Sequence, residues 1–240
     1  ASFCTRLSLF FIKRHKPILI YFARGFYFND SQNIISWLFS YLIEVLLLFK
    51  THTILSQSIE DIKKMKFFLN IFKIKFFWVG NGVDSKFFYT PLSKKKDYIH
   101  FVTTCRITPG KGLEDLLVVF NSLIKKHSNI KLTVIGGAVS NSDKIYLANL
   151  LNKKSIFKEK TYIEITGIIS DVTNKLRQCN YYIHPSYREG VPKSLLEAMS
   201  VGLVVLASNI RGAREIIINE KNGFLYKVKN KRELYNQMEK

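Results

Sequence analysis

The stretch "HPSYREGVPKSLLEAMSVG", residues 184–202, has the pattern of a strand end, a turn with two prolines and a helix. Leu195, Leu196 and Met199 recur at the spacing of one helix face, and Gly202 stands where a helix would end. A turn that joins a strand to a helix is the repeating unit of α/β proteins. We therefore take this stretch as one strand–helix unit, and the rest of the chain is interpreted outward from it.

The same stretch holds two carboxylates, Glu189 and Glu197, which are eight positions apart. On one ideal helix, eight residues advance about 12 Å and rotate about 80°. Acids that far apart cannot share one proton, but they could hold two ends of an extended ligand, with an anionic group between them at the helix N-terminus. A sugar nucleotide has that layout of hydroxyls, diphosphate and ribose. Two ordinary solvent-facing helix acids would have the same spacing, so spacing alone leaves both interpretations open.

Composition limits the classes of protein to which the chain can belong. Its 240 residues, 47% of them hydrophobic, suffice for one large domain or two small ones. The net charge of +19 favours anionic partners, whether nucleic acid, phosphorylated ligands or an acidic membrane surface. Three cysteines without paired spacing fit a reducing compartment. The histidines form no metal-binding pattern and no D-x-D sequence occurs, so we expect no metal ion and no cofactor.

The most apolar stretch is "IISWLFSYLIEVLLLF", residues 34–49, with Glu44 inside it. Its sixteen residues fall short of the roughly 20 that span a bilayer. The stretch therefore predicts a buried helix or a helix lying on a membrane surface. Asn29, Asp30 and Ser31, just upstream, are its candidate N-caps.

Strand and helix patterns alternate along the chain, which predicts an α/β protein with parallel sheets. Residues 17–23, "PILIYFA", are interpreted as a buried strand of the first sheet. The polar, turn-rich segment 81–98 interrupts the alternation, and we place a domain boundary near residue 92. The chain does not begin with Met, and it ends inside a charged helical pattern. The sequence thus predicts an incomplete N-terminal domain over residues 1–92 and a doubly wound C-terminal domain, clipped at its end, over residues 93–240.

The strand-to-helix loops of the second domain would converge on one edge of its sheet, where doubly wound proteins bind their ligands. The loop "CRITPGKG" carries Arg106 and Lys111, two cations beside a helix start, which suits a diphosphate. This loop is not a P-loop, because G-x-x-x-x-G-K-[ST] is absent. A solvated turn with two incidental charges would have the same sequence pattern. The loops expected at this edge are 106–112, 136–142, 167–171, 185–192 and 208–214.

Four blocks of sequence resemble, in order, the C-terminal domain of family 4 retaining glycosyltransferases, which have the GT-B fold of two Rossmann-like domains. They are "NGVDSKFF", "TCRITPGKGLEDLLVVFNSL", "LTVIGG…ITGIISDVTNKLRQCNYYIHPS" and "REGVPKSLLEAMSVGLVVLASNIRGAREIIINEKNGFLY". The last block is the most specific, because the family's signature of two Glu separated by seven residues is matched by Glu189-GVPKSLL-Glu197. The N-terminal part is similar, more loosely, to the acceptor-side domain of a subgroup that makes bacterial capsule, exopolysaccharide or O-antigen.

The resemblance implies a role for individual side chains. Arg106 and Lys111 match the pair that binds the donor diphosphate. Glu197 matches the acid that hydrogen-bonds the ribose, and Glu189 matches the one that faces the donor sugar. On the acceptor side, Arg24 stands where the subgroup commonly has His before a glycine.

The resemblance also implies that several loops bind the donor mainly through their backbone. The helix start would meet the leaving phosphate, one loop would hold the nucleobase, and a glycine pair would line the same cleft. The matching positions are, in that order, Gly190 and Val191; Gly167, Ile168 and Ser170; and Gly136 and Gly137, with Gly25 following Arg24 on the acceptor side.

The implied activity is a retaining, metal-independent transfer of a sugar from a nucleotide-sugar donor, expected to be UDP-linked, to a lipid-linked or polysaccharide acceptor in cell-surface glycan synthesis. The implied location is cytoplasmic, peripheral on the inner face of the cytoplasmic membrane, with the basic surface and residues 34–49 docking on anionic lipid. The replacement at Arg24 leaves open a non-catalytic nucleotide-sugar-binding module. A nucleic-acid partner is not expected, because the sequence has no recognition motif beyond its charge.

Overall fold

The computed structural model describes residues 2–12, 17–28, 32–84, 86, 98–153 and 162–240. The chain divides into two compact units, of which the first comprises residues 1–81 with 189–191, and the second residues 82–188 with 192–240. The boundary predicted near residue 92 lies outside the described residues. Each unit has its own parallel sheet.

The first unit has a three-stranded parallel sheet in the order β1-β2-β3. Right-handed crossovers between strands that advance in one direction place their helices on the same face of the sheet. Accordingly, α2 and α3 pack into one apolar cluster with the strands. In chain order the elements are α1 Ser2–Ser8, β1 Ile20–Ala23, α2 Ile34–Leu48, β2 Thr53–Ser56, α3 Ile59–Ile71 and β3 Lys75–Trp78.

Strand β1 is buried on one face only. Tyr21 and Ala23 belong to the apolar cluster, whereas Ile20 and Phe22 alternate with them and are 58% and 49% exposed. The prediction of a buried strand at residues 17–23 is therefore only half right. The physical reason is that both crossovers lie on the same side, so that the other face of β1 has no covering layer within the described residues.

The apolar stretch forms α2, as its pattern predicts. Asn33 is its N-cap and accepts a hydrogen bond from the Ser36 backbone N–H at 2.8 Å, while the predicted caps at 29–31 lie outside the described residues. Glu44 is fully buried, and Arg6 of α1 donates to its carboxylate at 2.8 Å. The Arg6 guanidinium also lies 3.8 Å from the centre of the Tyr21 ring. Of the helices in the described ranges, none is long and apolar enough to cross a membrane.

The second unit has a six-stranded parallel sheet in the order β6-β5-β4-β7-β8-β9. The chain enters at the centre with β4, winds outward to β6, then crosses to β7 and winds outward to β9, as predicted for a doubly wound sheet. Its elements are β4 Ile99–Thr104, α4 Leu113–Ile124, β5 Ile130–Ile135, α5 Asn141–Leu151, β6 Ile163–Gly167, α6 Val172–Arg177, β7 Tyr181–His184, α7 Lys193–Ser200, β8 Val204–Ser208, α8 Arg211–Arg214, β9 Phe224–Tyr226 and α9 Lys231–Glu239.

Apolar cores lie on both faces of this second sheet. Helices α4, α5 and α9 pack on one face, and α6, α7 and α8 pack on the other. Strands β4 and β7 pair in the middle, with Phe101 opposite Tyr181 and Val102 opposite Tyr182. Because the chain leaves these two strands toward opposite faces, their carboxyl ends form the topological switch point at which doubly wound proteins bind ligands.

Helix α7 ends as the sequence predicts. Gly202 has a φ of 81° and donates from its backbone N–H to the Met199 carbonyl at 3.0 Å. The next residue, Leu203, donates to the Ala198 carbonyl at 3.1 Å. This pair of hydrogen bonds is a Schellman motif, in which a glycine adopts the left-handed conformation with little strain.

Candidate functional site

The loops after β4 and β7 meet backbone to backbone at the switch point. The β4 loop closes with a 3₁₀ turn over Pro109–Lys111 and with Gly112, whose φ is 65°. A Cβ on Gly112 would lie 2.1 Å from the Pro185 carbonyl oxygen, and the Tyr187 backbone N–H donates to the Gly110 carbonyl at 3.0 Å. The turn that carries Lys111 is therefore positioned directly by the β7 loop.

A side-chain hydrogen bond reinforces this contact. The Tyr187 hydroxyl donates to the Asp115 carboxylate, on the first turn of α4, at 2.6 Å. Burial, together with this hydrogen bond, raises the pKa of Tyr187, so the phenol remains a donor at neutral pH. The sequence alone did not predict this bond, because Tyr187 and Asp115 are far apart in the chain.

Arg106 lies in the loop after β4 and is half exposed, as expected of a ligand-binding cation. Its Nε donates to the Asp143 carboxylate at 2.6 Å, and its Nη2 donates to the Ser140 hydroxyl at 3.2 Å. The hydrogen bond with Asp143 raises the pKa of Arg106, and the same bond lowers the pKa of Asp143, so both groups remain charged. The sequence contained one signal of Asp143, the S-x-x-D pattern of a helix start at Ser140, but gave no sign of its bond to Arg106.

Glycines allow the loops after β4, β5 and β6 to approach closely. Gly136 has a φ of 131°, and a Cβ there would lie 1.9 Å from the Cys105 carbonyl oxygen. Its backbone N–H donates to the Gly167 carbonyl at 2.9 Å. A Cβ on Gly137 would lie 3.2 Å from the Ile168 side chain. Four of the residues predicted to bind the donor are therefore adjacent at the carboxyl edge of the sheet.

The β6 loop presents its side chains to solvent. Ile168 is 75% exposed and Ser170 is also exposed. Asp171, which follows, caps α6 by accepting a hydrogen bond from the Asn174 backbone N–H at 3.0 Å. The loop is thus held by its backbone and by the cap, and its outward-facing side chains are available to a ligand.

The two signature acids occupy different kinds of structure. Glu197 lies on α7, where its side chain is 20% exposed and 3.8 Å from the Lys193 ammonium. Glu189 lies before the helix, so the separation calculated for a shared helix does not apply. The prediction that Gly190 and Val191 start the helix is wrong, because α7 begins at Lys193 after the N-cap Pro192. A proline disfavours helical backbone at the preceding residue, which explains the later start.

Residues 189–191 belong to the first unit. The Asn81 side-chain amide donates to the Val191 carbonyl at 2.9 Å. A Cβ on Gly190 would lie 2.3 Å from the Arg24 carbonyl oxygen, so only glycine fits at this position. The structure therefore brings Gly190 and Val191 to the loop that carries the predicted acceptor-side residue Arg24.

The loop after β1 is anchored by buried neighbours. Gly25 has a φ of 151°, and the Phe26 backbone N–H donates to the buried Asp61 carboxylate at 3.0 Å. Phe26 is buried, whereas Arg24 and Tyr27 on either side of it are exposed. Arg24 is thus presented at the carboxyl end of β1 by a loop whose backbone is fixed. Within the described residues, no group of three or more His, Cys, Asp or Glu side chains is placed to hold a metal ion.

The strand order and the loops at the switch point define a Rossmann-like α/β protein with a candidate site for an anionic ligand. Residues 84–240 match the family model described as "Glycosyl transferases group 1". The match covers more than half of the chain, and the chain belongs to this family. Family membership confirms the glycosyltransferase resemblance carried by the four sequence blocks.

The similarity to curated relatives covers more of the chain than the match to the family model does. The chain is 25% identical over 228 residues to the capsular polysaccharide biosynthesis glycosyltransferase CapM of Staphylococcus aureus, covering 88% of this chain and 57% of CapM. It is 24% identical over 224 residues to an Escherichia coli UDP-Gal:alpha-D-GlcNAc-diphosphoundecaprenol alpha-1,3-galactosyltransferase, covering 87% of this chain and 56% of that enzyme. The chain thus spans a little over half the length of these two relatives.

A solved structure shares the fold over nearly the whole chain. The crystal structure of Anabaena Alr3699/HepE in complex with UDP superposes with a TM-score of 0.75 at 17% sequence identity, covering 99% of this chain and 65% of that one. At this identity the likeness shows the fold alone. It confirms the predicted GT-B class, with its two parallel-sheet α/β units.

Proposed function

We propose that the protein acts as a glycosyltransferase that moves a sugar from a UDP-linked donor to a lipid-linked or polysaccharide acceptor in cell-surface glycan synthesis. The observation that carries the proposal is the position of Arg106 and Lys111 on the loop at the switch point of a domain that matches the family model. The named relatives support the donor and acceptor classes, since one acts in capsule synthesis and another transfers from UDP-Gal to a diphosphoundecaprenol-linked sugar.

In this proposal the donor spans the switch point. Arg106 and Lys111 bind the diphosphate, and Glu197 on α7 accepts hydrogen bonds from the ribose hydroxyls. Glu189 faces the donor sugar. The β6 loop, Gly167–Ser170, holds the nucleobase through its backbone, and the glycine pair of the β5 loop leaves room for the ligand beside it.

The proposed reaction retains the anomeric configuration. The bond between the anomeric carbon and the donor phosphate oxygen breaks, UDP leaves with the electron pair, and the carbon becomes oxocarbenium-like. The acceptor hydroxyl oxygen bonds to the same face of that carbon, and its proton passes to the leaving phosphate oxygen. The developing phosphate charge is stabilised by Arg106, Lys111 and the N-terminus of α7. No side chain caps that N-terminus, because its N-cap residue is Pro192. The proposed reaction therefore does not depend on a metal ion.

Release of UDP from a panel of UDP-sugars, with and without acceptor, tests the proposal. We expect Glu189→Gln to lower release about 100-fold through misplacement of the sugar, while UDP affinity stays unchanged. Glu220→Gln, at an exposed turn, is the matched control and should behave as the wild type. Donor binding without release would indicate a nucleotide-sugar-binding module. Tight, salt-dependent binding of duplex DNA without UDP-sugar binding would refute the proposal.

The proposal includes docking of the first unit on an anionic membrane surface. Exposed apolar side chains of α2 and its C-cap fall within an arc of about 140° at 100° per residue. Exposed lysines of the same unit, Lys63, Lys66, Lys73 and Lys75, supply positive charge, whereas Glu44 and Asp61 are buried. Such a combination suits binding to acidic lipid. The residues of the arc are Ile34, Ile35, Leu38, Phe39, Leu42, Leu46 and Phe49.

Sedimentation with lipid vesicles tests this docking. We expect the protein to bind vesicles that contain phosphatidylglycerol more tightly than neutral phosphatidylcholine vesicles, and Leu42→Glu to weaken that binding about tenfold or more, because it places a charge in the apolar arc. Ile145→Glu, at an exposed apolar site on a helix of the second unit, is the matched control. Unchanged vesicle binding by Leu42→Glu, or its conversion of a dimer to a monomer, would contradict membrane docking through this arc.

A further inference from the structure

Asp143 makes more hydrogen bonds than a helix cap requires. It is the third residue of α5, after the N-cap Ser140, and its Oδ2 accepts from the backbone N–H groups of Val139 and Ser140 at 3.0 Å each. These bonds complete a capping box. The same oxygen also accepts from Arg106 Nε at 2.6 Å. The Asp143 side chain is 6% exposed, so its negative charge is directed almost entirely at these three donors.

A second cap in the same unit shows what the motif looks like without an arginine. At the start of α9, Glu233 accepts from the Lys227 backbone N–H at 3.0 Å and from the Asn230 side chain at 3.2 Å. Its own backbone N–H donates to the Asn230 side chain at 3.1 Å. A carboxylate at this helix position therefore caps without a guanidinium partner, and the bond between Arg106 and Asp143 needs a further explanation.

The geometry of the guanidinium supplies one. Of its five N–H bonds, Asp143 takes the one on Nε and Ser140 takes one on Nη2, and both partners lie on the same edge of the group. The other edge, with the Nη1 hydrogens and the second Nη2 hydrogen, has no acceptor among the described residues. That edge can bind two phosphate oxygens at once, which is the bidentate geometry that arginine favours.

We propose that Asp143, with Ser140, is a positioning residue that orients Arg106 toward the donor diphosphate. The proposal rests on the proposed function, because it assigns Asp143 a part in the same donor site. A free arginine side chain loses rotational freedom when it binds a phosphate. Arg106 has already lost much of that freedom in the protein without donor, since its Nε edge is bonded to a carboxylate fixed by two backbone N–H groups. Asp143 itself need not touch the donor.

A double-mutant cycle on UDP affinity tests this role, with Asp143→Asn, Arg106→Gln and the double variant measured by calorimetry. The asparagine oxygen can still accept the backbone N–H groups, so the cap is retained while the charge is lost. We expect Asp143→Asn to weaken UDP binding about tenfold, the difference between a charge-assisted and a neutral hydrogen bond. In the Arg106→Gln background the same change should have no further effect, because Asp143 acts through Arg106.

The matched control is Glu233→Gln, which makes the same chemical change in the α9 cap and should leave UDP affinity unchanged. The unfolding temperature of each variant measures the loss of cap stability separately from UDP affinity. Equal losses of affinity for Asp143→Asn in both backgrounds, or no loss in the wild-type background, would overturn the positioning role while leaving the proposed function intact. If neither the wild type nor Arg106→Gln binds UDP, the proposed function fails, and the positioning role fails with it.

Discussion

The substitution Gly112→Ala tests whether the two switch-point loops are held backbone to backbone. Gly112 has a φ of 65°, and an alanine there costs about 1–2 kcal/mol in the left-handed region. Its Cβ would also lie 2.1 Å from the Pro185 carbonyl oxygen and 3.0 Å from the Tyr187 ring. Because backbone must shift to relieve that overlap, we add about 1–3 kcal/mol for overpacking, which gives a total loss of about 2–5 kcal/mol.

Substitutions at two other glycines separate the cost of the left-handed backbone from the cost of overpacking. Gly167 has a φ of 71° but nothing within 4 Å of an added Cβ, so Gly167→Ala should cost only the backbone term. Gly110 lies in the same turn as Gly112, has open space around it and no left-handed φ. Gly110→Ala should therefore be neutral or stabilise by about 0.4–1 kcal/mol.

Thermal unfolding of the three variants measures these costs. At about 2–4 °C per kcal/mol for a protein of this size, Gly112→Ala should unfold about 4–20 °C below the wild type, with Gly167→Ala between it and Gly110→Ala. Gly112→Ala should lower UDP affinity, because Gly112 ends the turn that carries Lys111. Gly110→Ala should leave UDP affinity unchanged. A Gly112→Ala protein as stable as Gly110→Ala would refute the backbone contact between the loops.

Two further predictions concern charged pairs. The hydrogen bond from Lys175 lowers the pKa of Glu164 to about 2 from its usual 4.5, so the stabilisation by this pair is fully present above pH 4.5 and is lost as the pH falls toward about 2. The difference in unfolding temperature between the wild type and Glu164→Gln should shrink over that pH range. A constant difference would contradict a lowered pKa of Glu164. Glu44→Ala should destabilise the first unit by about 3–5 kcal/mol, because it leaves the buried Arg6 charge unpaired. Denaturant unfolding followed by tryptophan fluorescence measures this loss, since both tryptophans lie in the first unit, and a Glu44→Ala protein as stable as the wild type would refute it.

The order of strands and helices in the second unit could be predicted because its signals are local. Runs of apolar residues mark the strands, and the 3.6-residue period marks helices such as α4. Once the sheet is parallel, the convergence of the loops that carry Arg106, Gly136 and Gly167 follows from geometry, without any knowledge of side-chain contacts. The structure therefore agrees with the sequence where short-range patterns suffice.

The site's supporting contacts could not be predicted in the same way. Asp143 and Tyr187 bond to Arg106 and Asp115 across long stretches of chain, and no periodicity encodes such pairings. Glu189 lies in the loop 185–192, as predicted, but the helix start expected at Gly190 and Val191 was wrong, because Pro192 delays the start to Lys193.

Burial in the first unit could not be predicted either. The apolar composition of residues 17–23 suits a strand covered on one face or on both, and only the common side of the two crossovers decides between them. Arg6 gave no sign that it would meet Glu44, although a buried acid within an apolar helix requires a partner.

Calorimetric titration with UDP and with uridine tests most directly whether the switch-point loops bind a nucleoside diphosphate. Two charge-assisted contacts, from Arg106 and Lys111, are each worth about 1.5–3 kcal/mol, so UDP should bind at least about 100-fold more tightly than uridine. Arg106→Gln should remove about tenfold or more of that preference. Equal affinity for UDP and uridine, or UDP binding that Arg106→Gln leaves unchanged, would contradict a donor site at the switch point.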